Sequence, residues 1–307
     1  MGAGSDGQGS ESGTLNSDRA HLNAALGVIV AFMVVEVTVA AVSGSLALLA
    51  DAGHMLVDAG AIGTSVWATY LAARPATHRW TYGLKRAEIL AAAVNGVTLL
   101  VVATLVLFEA IRRLLHPLAV DGTALVVVAT VGVGVNLIAT VVLGHADRSS
   151  LNVEGAFQHI LTDLFAFIGT AVAGVVILAT GYRRADPIAS LLVVVLMLRA
   201  AWGLLGASGH VLLEGTPHAV DLDEVRRHLL ELPEVLSVHD LHAWTVTSKL
   251  PVLSAHVVID DRCIAEGGGA RVLDHLQECL AGHFDVEHST LQLEPSTHAD
   301  HERAMHD

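Results

Sequence analysis

Six long apolar segments follow one another through the first two thirds of the sequence, and they restrict the fold more than any other feature. They cover roughly 22–42, 46–72, 88–111, 123–145, 152–180 and 187–207. Each segment approaches or exceeds the ~20 residues that a helix needs to cross the ~30 Å hydrocarbon core of a bilayer. The composition agrees, because 53% of the residues are hydrophobic and only 16% are charged. We therefore predict an α-helical membrane protein with six transmembrane helices.

An even number of spans places both termini on one side of the membrane. Because cytosolic flanks are enriched in Lys and Arg, the distribution of these residues predicts which side that is. The short flanks on the side of the termini contain seven of them, against four on the other side, which predicts cytosolic termini. The seven are Arg19, Arg74, Arg79, Lys85, Arg86, Arg148 and Arg199, and the four are Arg112, Arg113, Arg183 and Arg184.

The sequence predicts four regions. Residues 1–20 have almost no large apolar side chains, which is typical of a disordered N-terminal tail. Residues 21–208 contain the six spans. Residues 209–296 change to short amphipathic elements that indicate a small α+β domain in the order αββαβ, and 297–307 form a His-containing C-terminal tail.

The elements of the α+β domain follow from local patterns. Asp221 is predicted to cap a helix that ends near Pro233. Strands are predicted at Val235–Thr247 and Val252–Asp260, a helix at Ala270–Ala281, and a final strand at Thr290–Glu294.

The acidic residues are concentrated in the last third of the chain. From His210 onward there are 18 acidic and 6 basic residues, against 13 and 11 before it. The total net charge of −14 argues against a nucleic-acid partner, because phosphate groups would be repelled. With only Cys263 and Cys279 in the chain, no disulfide framework is predicted.

Two apolar segments contain the same pair of ionisable residues. His54 and Asp58 lie in the second segment, and His159 and Asp163 lie in the fifth. Residues four apart share one face of a helix, and Asp51 falls on nearly the same face as the first pair. One such pair could be a simple contact between helices, but two copies at the same spacing favour a functional site.

Two imidazoles and two carboxylates form a four-ligand set that suits tetrahedral Zn²⁺. The two carboxylates would balance the charge of the ion, so the occupied site would be tolerable in a medium of low dielectric constant. The ligands bind metal only when they are deprotonated, so protons and metal compete for the same groups. The pattern therefore predicts metal/proton exchange.

Further polar side chains fall inside the apolar segments. Glu36, Asn95 and Asn136 could line an aqueous path or form hydrogen bonds between helices, and Asp51 could support the His54 pair from a vestibule or from behind the ligands.

Three classes of protein compete at this stage. A membrane protease would need His-Glu-x-x-His and a hydroxylase several paired-His boxes, and neither pattern occurs. A membrane-anchored metal sensor would not need ligands inside the spans. The sequence therefore favours a transporter over a metalloenzyme or a sensor.

The sequence resembles the cation diffusion facilitator family of zinc exporters. The resemblance lies in Ser45–Asp58, in Tyr82–Leu90 running on to Asn95-Gly96, and in Asn152–Asp163. It implies a homodimer of six-helix protomers in the cell (inner or plasma) membrane, with a metallochaperone-like cytosolic domain. It also implies export of Zn²⁺, with Cd²⁺ and Co²⁺ as further candidates, in exchange for H⁺.

The resemblance implies roles for particular residues. It assigns the transport site to His54, Asp58, His159 and Asp163. It also implies further zinc in the cytosolic domain and a weakly bound ion in the loop after the second span. The candidates for the domain are His239, His242, His256, His275 and Glu294, and the candidate for the loop is His78.

Overall fold

The structure is a computed structural model. It describes residues 6–43, 46–117, 122–248, 250–265, 267–284, 286 and 288–299, while the side chains of 6–18, 36, 39–43, 46–55, 57, 124, 265, 298 and 299 lie outside the description. Among the predicted site residues, the side chains of Glu36, Asp51 and His54 therefore fall outside it. The chain divides into two compact units, Met1–Gly209 and His210–Asp307.

The first unit consists of six long helices. Among the residues whose side chains the structure describes, four helices, counting α4 from Leu125, are long and apolar enough to cross a membrane, and α1 contributes a shorter apolar stretch, Arg19–Val35. Large apolar side chains such as Phe108 and Trp202 are exposed on the outside of the unit, as expected for a surface that faces lipid. The predicted fold class is confirmed. The helices are α1 (Asp6–Ser43), α2 (Leu46–Ala72), α3 (Ala87–Leu115), α4 (Gly122–Gly144), α5 (Leu151–Thr180) and α6 (Ala185–Leu212).

The N-terminal segment differs from the predicted disordered tail. Helix α1 begins at Asp6, so residues 6–20 continue the first span as a helix. No proline interrupts this segment. Extending an existing helix requires much less free energy than nucleating a new one, so a polar segment can remain helical when it is joined to an apolar span.

Helices α1, α2, α4 and α5 share one apolar core. Leu22 and Ile29 of α1, Ile62 of α2, Leu143 of α4 and Ile160 of α5 are buried together in it. Helix α3 packs against both α2 and α5. This arrangement leaves the inner faces of α2 and α5 adjacent.

A buried polar contact joins α2 to α5. The side-chain amide of Asn152 donates to the backbone oxygen of Ser65 at 2.8 Å and to the hydroxyl of Thr69 at 3.1 Å. The amide of Asn95, on α3, donates to the Ser65 hydroxyl at 2.9 Å. All four residues are buried, so these bonds cannot be replaced by water without cost.

The second unit is a two-layer α+β domain. Strands β1 and β2 are antiparallel and β2 and β3 are parallel, in the order β1-β2-β3. Its core contains Val225 of α7, Leu276 and Leu280 of α9, and Val257 of β2. The predicted order αββαβ is confirmed, with two short helices in addition. The elements are α7 (Leu222–Leu230), β1 (Val235–Thr245), β2 (Pro251–Ile259), α8 (Asp261–Ala265), α9 (Gly269–Phe284), β3 (His288–Pro295) and α10 (Ser296–Ala299).

The predicted helix cap at Asp221 is also present. Its carboxylate accepts hydrogen bonds from the backbone N–H groups of Asp223 and Glu224, at 3.0 and 3.3 Å. Capping these N–H groups fixes the start of α7, whose buried face carries Val225 and Leu229.

We expect Asn152→Ala to lower the free energy of unfolding by about 1–3 kcal/mol, because it removes two hydrogen bonds and leaves buried partners unpaired. Thermal unfolding in detergent, followed by circular dichroism, would measure the change. Asn23→Ala is the matched control because Asn23 is exposed on α1. Equal unfolding temperatures for the two variants would contradict this role.

Candidate metal sites

Helices α2 and α5 bring three predicted ligands together inside the helical unit. Nε2 of His159 lies 3.0 Å from Oδ1 of Asp58 and 3.7 Å from Oδ2 of Asp163. The three residues offer ligand atoms that all lie within 4.8 Å of one another. Each residue is at most 5% exposed. The i, i+4 spacing of His159 and Asp163 places both on the face of α5 that meets α2.

The electrostatics of this cluster favour a bound cation. Two carboxylates close together at a buried position repel each other when both are ionised, unless a proton or a metal ion lies between them. Nδ1 of His159 is buried and has no hydrogen-bond partner among the described residues, so the imidazole is not fully satisfied by the protein groups around it. The donor chemistry therefore fits a divalent ion.

His54 is the fourth predicted ligand. It belongs to α2, one turn before Asp58, but its side chain lies outside the described part of the structure. The side chains of Asp51 and Glu36 also lie outside the described part. The roles predicted for these three residues stay predictions.

Asn136 has a contact within its own helix. It is buried, and its amide donates to the backbone oxygen of Gly132 at 3.1 Å. Its amide N–H is therefore used in a bond within α4. Asn95, by contrast, forms a predicted hydrogen bond between helices, because its amide on α3 donates to the Ser65 hydroxyl on α2. The contacts of Asn152 with Ser65 and Thr69 were not predicted from the sequence.

A second cluster lies on the sheet of the α+β domain. His239 on β1 pairs in register with His256 on β2. Glu294 on β3 is 1% exposed, and its Oε1 lies 2.8 Å from Nδ1 of His256. Its Oε2 lies 3.3 Å from Nε2 of His239, without the alignment of a hydrogen bond. The amide of Gln292 also donates to Oε1 of Glu294, at 2.8 Å.

Asp240 joins this cluster, and sequence reasoning missed it. The ladder between β1 and β2 is irregular between His239 and His242, and Asp240 has a φ of 46° there. This left-handed backbone brings the Asp240 carboxylate within 4.8 Å of donor atoms on His239 and His256. No repeating pattern in the sequence predicts such an irregularity.

The remaining predicted ligands lie apart from this cluster. Nε2 of His242 is 4.0 Å from Oδ1 of Asp240, at the margin of the site, and its side chain is half exposed. His275 is exposed on α9, and His78 is exposed in the connection between α2 and α3. Within the described residues, neither belongs to a compact group of three donors.

The structure combines long apolar helices, a buried cluster of His and Asp side chains between two of them, and a His-bearing α+β domain. This combination is typical of membrane proteins that transport metal cations. Family models agree with this class. Residues 22–213 match the cation efflux transmembrane domain, and residues 217–296 match the cytoplasmic domain of cation efflux proteins. The chain belongs to the cation efflux family.

Curated relatives cover most of the chain. The zinc transporter ZitB of Escherichia coli is 42% identical over 88% of this chain and 85% of its own length. The metal cation efflux system protein CzcD of Cupriavidus metallidurans is 40% identical over 89% and 85%. The cadmium, cobalt and zinc/H⁺-K⁺ antiporter of Bacillus subtilis is 35% identical over 91% and 89%.

Among solved structures, the metal-bound C-terminal domain of the CzcD transporter is 44% identical. The match covers 24% of this chain and 99% of the solved chain, with a TM-score of 0.22. The family resemblance seen in the sequence is confirmed. The prediction of a transporter in place of an enzyme is confirmed as well, because the named relatives are transporters.

Proposed function

We propose that the protein exports Zn²⁺, with Cd²⁺ and Co²⁺ as further substrates, from the cytosol in exchange for protons. The observation that carries this proposal is the convergence of Asp58, His159 and Asp163 at a buried position between two membrane helices. The relatives support the choice of ions, since one is named for zinc and another for cadmium, cobalt and zinc in antiport.

The donor set supports zinc-like ions on chemical grounds. Imidazole and carboxylate ligands together suit Zn²⁺, whereas Mg²⁺ and Ca²⁺ prefer shells made of oxygen alone. The absence of sulfur from the three described ligands argues against Cu⁺, which prefers thiolate and thioether.

We place His54 in the same site as the fourth ligand. Asp58 of α2 meets His159 of α5, while Ser65 and Thr69, later on α2, meet Asn152, which is earlier on α5. The two helices are therefore antiparallel. A residue four before Asp58 then stands at the level of a residue four after His159, so His54 belongs at the level of Asp163.

Proton exchange follows from the contact between His159 and Asp58. The 3.0 Å separation of Nε2 and Oδ1 is a hydrogen-bond distance, so a proton lies between these atoms when no metal is bound. A metal ion needs the lone pair of Nε2 and an ionised carboxylate, so it binds only after that proton has left. Protons arriving from the opposite side of the membrane can then displace the ion.

We further propose the organisation of the whole chain. Residues 21–208 form the membrane domain and residues 209–296 the cytosolic domain, with both termini in the cytosol and the protein in the inner (plasma) membrane. The limits of the two family models support this division. The dimer domain of the family at 217–296 supports a homodimer.

We propose that the cytosolic domain holds additional Zn²⁺ through His239, His256 and Glu294, beside Asp240. A carboxylate that is 1% exposed needs a positive charge near it. A bound dication would supply that charge, and the unbonded Oε2 of Glu294 is available to it.

We expect Asp163→Asn to reduce zinc uptake driven by a pH gradient into proteoliposomes by about 100-fold or more. Removing a ligand should cost at least as much as removing a group that supports one, which typically costs about 10–100-fold. The substitution keeps the side-chain volume, so the protein should stay folded. Asp223→Asn is the matched control because Asp223 is exposed on α7. Wild-type flux in Asp163→Asn would refute the assignment.

We expect Glu294→Gln to lower the number of bound zinc ions by one per chain when it is tested in the Asp163→Asn background, because the buried carboxylate would no longer balance the ion. Equilibrium dialysis with metal analysis would count the ions. Glu278→Gln and His275→Ala, both at exposed positions on α9, should leave the count unchanged. If His275→Ala lost as many bound zinc ions as Glu294→Gln, the assignment of the site to His239, His256 and Glu294 would be wrong.

A further inference from the structure

Helices α7 and α9 of the second unit carry a pair of histidines that neither cluster described above includes. His228 lies near the end of α7 and His283 near the end of α9. Their ring centroids are 5.3 Å apart, with 39° between the ring planes. Two imidazoles that bind one ion through nitrogen need about this separation, because tetrahedral Zn–N bonds of about 2 Å bring the two nitrogens close together.

The hydrogen bonds of both rings leave the same nitrogen available. Nδ1 of His228 lies 3.0 Å from the backbone oxygen of Glu224, and Nδ1 of His283 lies 3.1 Å from that of Cys279. A carbonyl oxygen only accepts, so each Nδ1 carries the hydrogen and each neutral ring has its lone pair on Nε2. Histidines that bind metal commonly have their other nitrogen held in this way.

A thiol accompanies the two rings. Cys279 is half-buried and precedes His283 by one helical turn, so the two side chains lie on the same face of α9.

We propose that His228, Cys279 and His283 form a metal site for a thiolate-preferring divalent ion such as Zn²⁺, Cd²⁺ or Co²⁺. Two imidazoles and one thiolate are a donor set that these ions favour. The site does not depend on the transport function proposed above, because it shares no residue with the helical cluster or with the sheet cluster.

The rings are in place, and the remaining adjustment is a side-chain rotation. Within the described residues, His228, Cys279 and His283 are not among the groups of three whose donor atoms lie within 4.8 Å of one another, so binding would require the Cys279 side chain to rotate toward the two rings. The edge of Phe284 packs against the ring of His228, with centroids 5.2 Å apart and the planes at 89°.

The test uses Co²⁺ and the full chain in detergent. Cobalt bound to a thiolate gives a charge-transfer absorption in the near ultraviolet, which carboxylate and imidazole ligands do not give. The cluster around Asp58, His159 and Asp163 and the cluster around His239, Asp240 and His256 contain no sulfur ligand, so cobalt bound there gives no absorption in this band. We expect the band in the wild-type protein and in Cys263→Ser, and its loss in Cys279→Ser. A band that survives Cys279→Ser, or no band in the wild type, would overturn the proposal.

A second variant and a second readout separate the site from a lone thiol. His228→Ala should weaken the cobalt affinity measured from this band by at least about tenfold. Zn²⁺ should slow the maleimide modification of Cys279, followed by mass spectrometry, and should leave Cys263 unaffected. Unchanged affinity in His228→Ala, or equal modification of Cys279 with and without Zn²⁺, would count against the site.

Discussion

The cost of burying charge controls the structure around Asp58, His159 and Asp163. A carboxylate inside the hydrocarbon region is stable only when a proton or a cation compensates it. Two such carboxylates approach one imidazole here, and all three residues are buried. This arrangement is stable with a proton or with a metal ion, but not with neither. In the function proposed above, alternation between these two occupants is the chemical basis of proton-for-metal exchange.

The register between α2 and α5 is what keeps the ligands together. Asp58 meets His159, and seven residues further along α2 Ser65 accepts from Asn152, which is seven residues before His159. Seven residues are about two turns and about 10 Å of helix, so both contacts lie on the same faces. The donors and acceptors of the Asn152 contact do not titrate, so this contact can hold the helices aligned during the proposed exchange of protons and metal.

The sequence predicted the structural features that follow a periodic pattern of residues. It did not predict the features that depend on the backbone conformation of a single residue. Apolar length predicted the helices, and the i, i+4 pairs led to Asp58, His159 and Asp163, whose donor atoms lie within 4.8 Å of one another, while their role as ligands stays a prediction. The contribution of Asp240 depends on its positive φ at an irregularity of the ladder, which no spacing reveals. The start of α1 at Asp6 was not predicted, because the composition of a segment does not show whether an adjacent helix extends into it.

The acidic character of the second unit has a consequence for its metal ligands. With 18 acidic and 6 basic residues from His210 onward, its net charge of −12 raises the local concentration of cations. The ligands proposed for this unit differ in exposure, from Glu294 at 1% exposed to His283 at the surface. An ion held by Glu294 would therefore be shielded from solvent, whereas an ion held by His283 would remain in contact with it.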